Sequence, residues 1–147
     1  MNLEKSLLEL INKKEIEELR YRYWYALLDK NVERLLDLFA DDVRLDYGFG
    51  IELTSKAEIK DFFDQLLGSE TLRLQVPRGA NGLVEFTSDT TGKGRWMVEA
   101  ITVNRDEPLA TLGSVQYFEE YVKVDGQWKL SRMKNEYLYF EEVTVKG

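Results

Sequence analysis

The second half of this chain reads as strands and the first half reads as helices, and that order limits the folds open to it. From Thr71 on, apolar and polar residues alternate with period two: Leu72 to Val76, Leu83 to Thr87, Lys93 to Val103, Ala110 to Val124 and Gln127 to Phe140. Turn signals separate the runs. Pro77 to Gly79 interrupts the first, Ser88-Asp89-Thr90 and Asp106-Glu107-Pro108 close the next ones, and Asp125-Gly126 is a tight hairpin signal. Strands joined this tightly pair antiparallel with their neighbours. Helices that all precede such a run pack on one face of the sheet rather than between its strands. The expected fold class is therefore α+β.

The helical part shows the spacing expected of buried faces. Leu3, Leu7, Leu8, Leu10 and Ile11 make a short apolar stripe, and Ile16, Leu19, Tyr23, Ala26 and Leu27 make a stronger one. Glu15, Glu17, Glu18, Arg20 and Arg22 fill the other side. Asn31 is placed to cap a following helix with Leu35, Leu36, Leu38 and Phe39 as its buried side. Val43 to Asp46 reads as a short strand, and Gly48-Phe49-Gly50 as a turn. Ser55-Lys56-Ala57-Glu58 is a capping box ahead of Ile59, Phe62, Phe63, Leu66 and Leu67, and Gly68 ends that helix.

The 147 residues fit one domain, residues 1–147, with 44% hydrophobic residues to fill a core. A formal net charge of −7 argues against nucleic acid and anionic membranes as partners. No apolar run approaches the roughly 18 residues of a membrane span, and the first residues lack a basic, then apolar, leader. A cytoplasmic location is the expectation. The absence of cysteine removes disulfides, thiol nucleophiles and thiolate metal sites. Asp41, Asp42 and Asp46 do not match a calcium loop, and Thr91-Gly92-Lys93-Gly94 lacks the residues of a phosphate loop. No metal and no cofactor is expected.

The chain also contains no histidine. It thus lacks the one side chain that titrates near neutrality unperturbed, so proton transfer would fall to a carboxylate, tyrosine, lysine or water.

Three segments, in order, carry a resemblance. Tyr23 to Val43, YWYALLDKNVERLLDLFADDV, is similar to the opening helices of the SnoaL-like branch of the nuclear-transport-factor-2-like superfamily. Asn81-Gly-Leu-Val-Glu-Phe and Gly94-Arg95-Trp96 resemble that branch's central strands. Tyr117-Phe-Glu-Glu-Tyr121 and Asp125-Gly126-Gln-Trp128-Lys129 resemble its last hairpin. Within the branch the resemblance is to scytalone dehydratase, bile-acid 7α-dehydratase and hexachlorocyclohexane dehydrochlorinase. It implies a cone-shaped, curved antiparallel sheet wrapped over three N-terminal helices, with a ligand cavity inside. It also implies self-association as a dimer or trimer through the outer sheet face. The branch uses a histidine–aspartate dyad, often aided by a tyrosine. The histidine position, four residues before Asn81, is Pro77 here. The aspartate position is Asp29 by motif and Leu28 by gapless counting. The tyrosine position is Tyr23. A weaker likeness to ketosteroid isomerase places Tyr47 where that enzyme has its basic aspartate.

The candidate catalytic residues are Tyr23, Asp29 and Glu119. Tyr23 lies on the apolar stripe, where a buried hydroxyl can polarise an oxygen or simply be a satisfied core tyrosine. Asp29 closes a helix and acts as a base if burial raises its pKa; otherwise it is a solvated loop residue. Glu119 alternates with Tyr117 and Tyr121 on one strand face, either as a desolvated acid or as an outer-face ion pair. Arg132 shares a face with Trp128 and Leu130 and needs a carboxylate, with Glu119 a candidate across the hairpin. Trp24, Phe63, Trp96, Met97, Tyr117, Tyr121 and Arg132 are the candidate ligand-binding residues, several of which must be core. The expected function is binding of a small, mostly apolar or aromatic molecule, with cofactor-free dehydration, isomerisation or cyclisation by tyrosine and carboxylate. The alternative is a ligand-binding or assembly module, or a re-engineered scaffold, without the dyad.

Overall fold

A computed structural model describes residues 2–146. Helix α1 (Leu3–Leu28) is followed by α2 (Val32–Leu36), β1 (Phe39–Asp46), β2 (Glu52–Leu53), α3 (Lys56–Leu67), β3 (Leu72–Phe86), β4 (Thr91–Asn104), β5 (Leu109–Val124) and β6 (Gln127–Thr144). The six strands form one curved, open sheet in the order β2-β1-β6-β5-β4-β3. The four long strands pair antiparallel, whereas β1 joins β6 in parallel and so extends the sheet beyond the consecutive hairpins. The helices cover one face, as expected for α+β.

The two helical stripes belong to a single helix. Ile16, Leu19, Tyr23, Trp24, Ala26 and Leu27 are buried, but Leu3, Leu7, Leu8, Leu10 and Ile11 are each about half exposed or more. Only the second stripe packs on the sheet. Asn12 anchors the junction between them: its Oδ1 accepts from Trp128 Nε1 (3.1 Å) and Lys123 Nζ (3.2 Å). Asn31 caps α2 by accepting from Arg34 N at 3.1 Å, yet α2 is a single short turn and Phe39 already belongs to β1. Ser55 caps α3 as expected, while the Glu58 carboxylate reaches one residue further back than a capping box requires, to Thr54 N.

One strand interruption also differs. Pro77 does not break the first run: β3 continues through it, because β3 is an edge strand where a missing N–H is tolerated. The irregularity falls instead between Ala80 and Leu83, at Asn81 with φ of 56°. The Asp125-Gly126 turn holds both residues at positive φ, 51° and 78°, as a type I′ hairpin demands.

The core lies between α1, α3 and the inner sheet face, where Val43, Leu45, Trp96, Val98, Val115, Tyr117, Tyr121, Trp128, Leu130 and Met133 point. Gly79 and Gly94 let large rings lie flat on that face. A Cβ at Gly79 would overlap the indole of Trp24, and one at Gly94 would overlap the phenol of Tyr121. Among the described residues no helix is long and apolar enough to cross a membrane.

Candidate ligand-binding site

Helix α1 delivers one whole face to the interior. Ile16, Arg20, Tyr23 and Leu27 recur at steps of four, three and four, the spacing of one helix face. Arg20 is therefore forced inward and is 0% exposed. Its guanidinium carbon lies 4.3 Å from the ring centre of Tyr23, 4.7 Å from that of Trp24 and 5.2 Å from that of Tyr117. Such stacking holds the cation in one plane.

The counter-charge comes from β5. Alternation puts Tyr117, Glu119 and Tyr121 on the inner face, and Glu119 is 3% exposed. Arg20 Nη1 stands 3.1 Å from Glu119 Oε2. That approach is an ion pair by distance but misses hydrogen-bond angles, leaving Oε2 without a hydrogen-bonded partner. Oε1 accepts from the Tyr121 hydroxyl (2.7 Å), which in turn accepts from Trp96 Nε1 (3.0 Å). A buried relay thus runs from Trp96 through Tyr121 and Glu119 to Arg20.

A second polar pair lies beside the first. The hydroxyls of Tyr23 and Tyr47 are 2.6 Å apart. Tyr47 stacks on Phe62 (5.8 Å) and meets the edge of Phe63 (5.9 Å). Tyr47 and Tyr137 are only half-buried, and the exposed Phe49 packs on Tyr137 at 4.9 Å. The solvent side of the phenol pair is therefore walled by aromatic rings.

Burial dominates the electrostatics. It raises the Glu119 carboxyl above its ordinary value, against the opposing pull of Arg20 and the Tyr121 hydrogen bond. It pushes Tyr23 up to about 12, although Arg20 and the bond to Tyr47 act the other way. It also holds Tyr47, Tyr117 and Tyr121 well above 10.0. At neutral pH the phenols are therefore hydrogen-bond donors rather than bases. Burial works against the Arg20 charge, but Glu119 and the surrounding phenols outweigh it, so the cation is retained. Chemically, the phenols can polarise an oxygen, Glu119 can exchange a proton, and Arg20 can hold negative charge.

Of the residues expected from sequence, Tyr23, Glu119, Trp24, Trp96, Tyr117 and Tyr121 gather at this cluster, and Phe63 borders it through Tyr47. Three do not. Asp29 is the exposed C-cap of α1, because the helix ends after its inner face has turned away. Met97 lies opposite Gln116 on the outer sheet face, one residue out of phase with Trp96. Arg132 is also on the outer face, since β6 is irregular between Leu130 and Arg132; its Nε pairs with Glu120 at 3.3 Å, not with Glu119. Arg20 does not lie on the polar side of its helix with Glu15, Glu17, Glu18 and Arg22; its spacing from Ile16 and Tyr23 places it on the apolar one. Asn135 (6% exposed) and the half-buried Tyr137 also face inward from β6.

A trough of about 930 Å³ crosses the outer face, past Arg44, Arg95, Phe118, Glu120, Arg132 and Lys134. Its charged groups are largely exposed and engaged with surface neighbours: Arg132 with Glu120, Arg95 with Gln116, and Lys134 with Glu136. The interior cluster, where buried polar groups converge, is the stronger candidate for chemistry. Among the described residues no group of three or more acidic side chains is placed to hold a metal ion.

A family model described as a SnoaL-like domain matches residues 9–134. The chain belongs to the SnoaL-like family. Solved structures agree. A candidate scytalone dehydratase from Novosphingobium aromaticivorans is 27% identical, with 96% of this chain and 93% of that one covered and a TM-score of 0.88. A type 2 hexachlorocyclohexane dehydrochlorinase, LinA, is 20% identical over 95% and 93% of the two chains, TM-score 0.85. The type 3 LinA from Novosphingobium barchaimii is 20% identical over 94% of each, TM-score 0.83. The SnoaL-like likeness drawn from the three sequence segments is thus correct, and so is the α+β fold of helices against a curved sheet.

Proposed function

We propose that this SnoaL-like chain binds a small, largely apolar molecule against the Tyr23–Tyr47 and Arg20–Glu119 pairs and moves a proton on it without a cofactor. The observation that carries the reading is the convergence of two protonated phenols, a carboxyl with raised proton affinity and a fixed cation within one aromatic interior. In an elimination, Glu119 takes a proton from carbon. Tyr23, backed by Tyr47, donates to the oxygen that leaves or becomes an enol. The similarity to a candidate scytalone dehydratase and to dehydrochlorinases supports this reaction class.

Pro77 favours a second reading. It is buried on the inner face opposite Ala100, at the position where the resemblance implies a histidine. A chain without that base serves as a binder that holds its ligand unchanged. One experiment separates the two. A panel of cyclic hydroxy-ketones is followed by mass spectrometry for loss of water and by tryptophan fluorescence for binding. For an enzyme, Tyr23→Phe and Glu119→Gln each lower kcat by about 10²-fold or more. Saturable binding without turnover establishes the binder, and neither turnover nor binding refutes the interior as a ligand site.

Self-association through the outer face is part of the same proposal. It is supported by Leu83, 70% exposed, and by the half-buried Met97 and Phe118 on that face. Sedimentation equilibrium showing a monomer at micromolar concentration would remove it.

A further inference from the structure

The Arg20 guanidinium is only partly used. Nη1 faces Glu119, but Nε and Nη2 are buried and have no acceptor in the protein. Nε–H and the adjacent Nη2–H form the side fork of an arginine, two parallel donors spaced to match the two oxygens of a carboxylate. A third buried donor without an acceptor, Trp24 Nε1, belongs to the ring stacked 4.7 Å from the same guanidinium. Buried donors are rarely left unpaired in a folded protein, and an orphaned arginine fork is among the least tolerable. Its plane is already fixed by Tyr23, Trp24 and Tyr117, so little side-chain freedom is lost when an acceptor arrives.

We infer that the ligand of this interior is an apolar ring compound bearing a carboxylate, which the Nε/Nη2 fork of Arg20 holds in a bidentate pair. The inference rests on the interior being the ligand site and names its substrate class. Arg20 acts here as a binding and specificity residue. The aromatic walls take the ring, and the phenol pair of Tyr23 and Tyr47 remains free for a second oxygen on the same molecule.

A ligand carboxylate places two acids on one guanidinium. The titratable groups around that seat are Glu119, Tyr117 and Tyr121 from β5 and Tyr23 from α1, with Tyr47 just past the end of β1 and Tyr137 from β6 beyond Tyr23. All the tyrosines there are held protonated, so the excess negative charge is relieved by one proton shared with Glu119. Carboxylate affinity therefore weakens as pH rises and that proton is lost, while a neutral ligand shows no such trend.

The test uses the full chain and three probes, 2-naphthoate, benzoate and cyclohexanecarboxylate, against 2-naphthamide and 2-acetylnaphthalene, with tryptophan fluorescence as the readout. Expected are saturable binding of at least one carboxylate, binding of its neutral counterpart at least about tenfold weaker, and loss of that preference in Arg20→Lys, which keeps the charge but not the fork. If Arg20→Lys fails to fold, the double variant Arg20→Met/Glu119→Gln, with a neutral interior, serves the same purpose. Equal affinity for naphthoate and naphthamide, an unchanged preference in the variants, or carboxylate binding independent of pH would overturn the inference. Neutral probes that bind where carboxylates do not would sink this proposal alone. Failure of every probe up to about 1 mM would sink the ligand site with it.

Discussion

Replacing Arg20 by methionine should be among the most damaging single substitutions in the protein, and its pH dependence should reveal why. Both partners of the ion pair are essentially without solvent, at 1% and 0% side-chain exposure. Removing one half of such a pair costs about 3–5 kcal/mol, because the other is left charged in a medium of low polarity. Glu119 keeps its bond from Tyr121, and methionine refills part of the stacked volume, so the low end applies, about 3 kcal/mol. For a domain of this size that is a fall of about 10 °C in Tm. The sign of the pH effect follows from Glu119. Its folded pKa already lies above the ordinary 4.5, and loss of Arg20 raises it further. The folded variant then keeps a proton that the unfolded chain releases, so its deficit is small near pH 4.5 and grows as pH rises. Adding Glu119→Gln removes the stranded charge and preserves an acceptor for Tyr121, returning about 2 kcal/mol. Urea unfolding of the wild type, both single variants and the double variant at pH 5 and pH 7.5 completes the cycle. An Arg20→Met deficit below about 1 kcal/mol, or one that shrinks as pH rises, would refute the account of a desolvated, mutually dependent pair.

Other outcomes follow from the same interior. Gly79→Ala should cost about 1–3 kcal/mol, since its methyl must displace the Trp24 indole; near-UV circular dichroism and thermal melting report it. Asn12→Ala should cost about 1–3 kcal/mol by leaving Trp128 Nε1 unpaired in the core, seen as a lower urea midpoint. Stability should fall as pH rises above 10.0, because the unfolded chain ionises phenols there while Tyr23 holds its proton until about 12 and Tyr47, Tyr117 and Tyr121 hold theirs too. An alkaline melting series without that decline would contradict their burial. Tyr47→Phe should lower stability by about 1 kcal/mol and bring the Tyr23 titration still higher, since a bond that lowers it is lost, as ultraviolet difference absorbance can show.

The architecture was readable in the sequence because periodicity is a local property. Helical spacing in the first third, alternation from Thr71 onward and the Asp125-Gly126 turn each depend on a few neighbouring residues, and together they specify helices against an antiparallel sheet. Tyr23 could be placed inward by its stripe, whereas alternation put Glu119 on one face with Tyr117 and Tyr121 without saying whether that face is the inner one. What failed was whatever depended on register or on distant partners. A one-residue irregularity in β6 sends Arg132 outward to Glu120, and strand phase sends Met97 away from Trp96. The exposure of Leu3 to Ile11 reflects where the sheet stops, which no helical pattern records. The Arg20–Glu119 pair joins residues from the first helix and the fifth strand, and the Tyr23–Tyr47 bond joins the first helix to the loop after the first strand. The sequence by itself determined which faces are apolar and in what order the elements come. Only the tertiary structure decided which buried polar groups meet, because hydrogen bonds and ion pairs act over about 3 Å and the chain brings those atoms together only after it has folded.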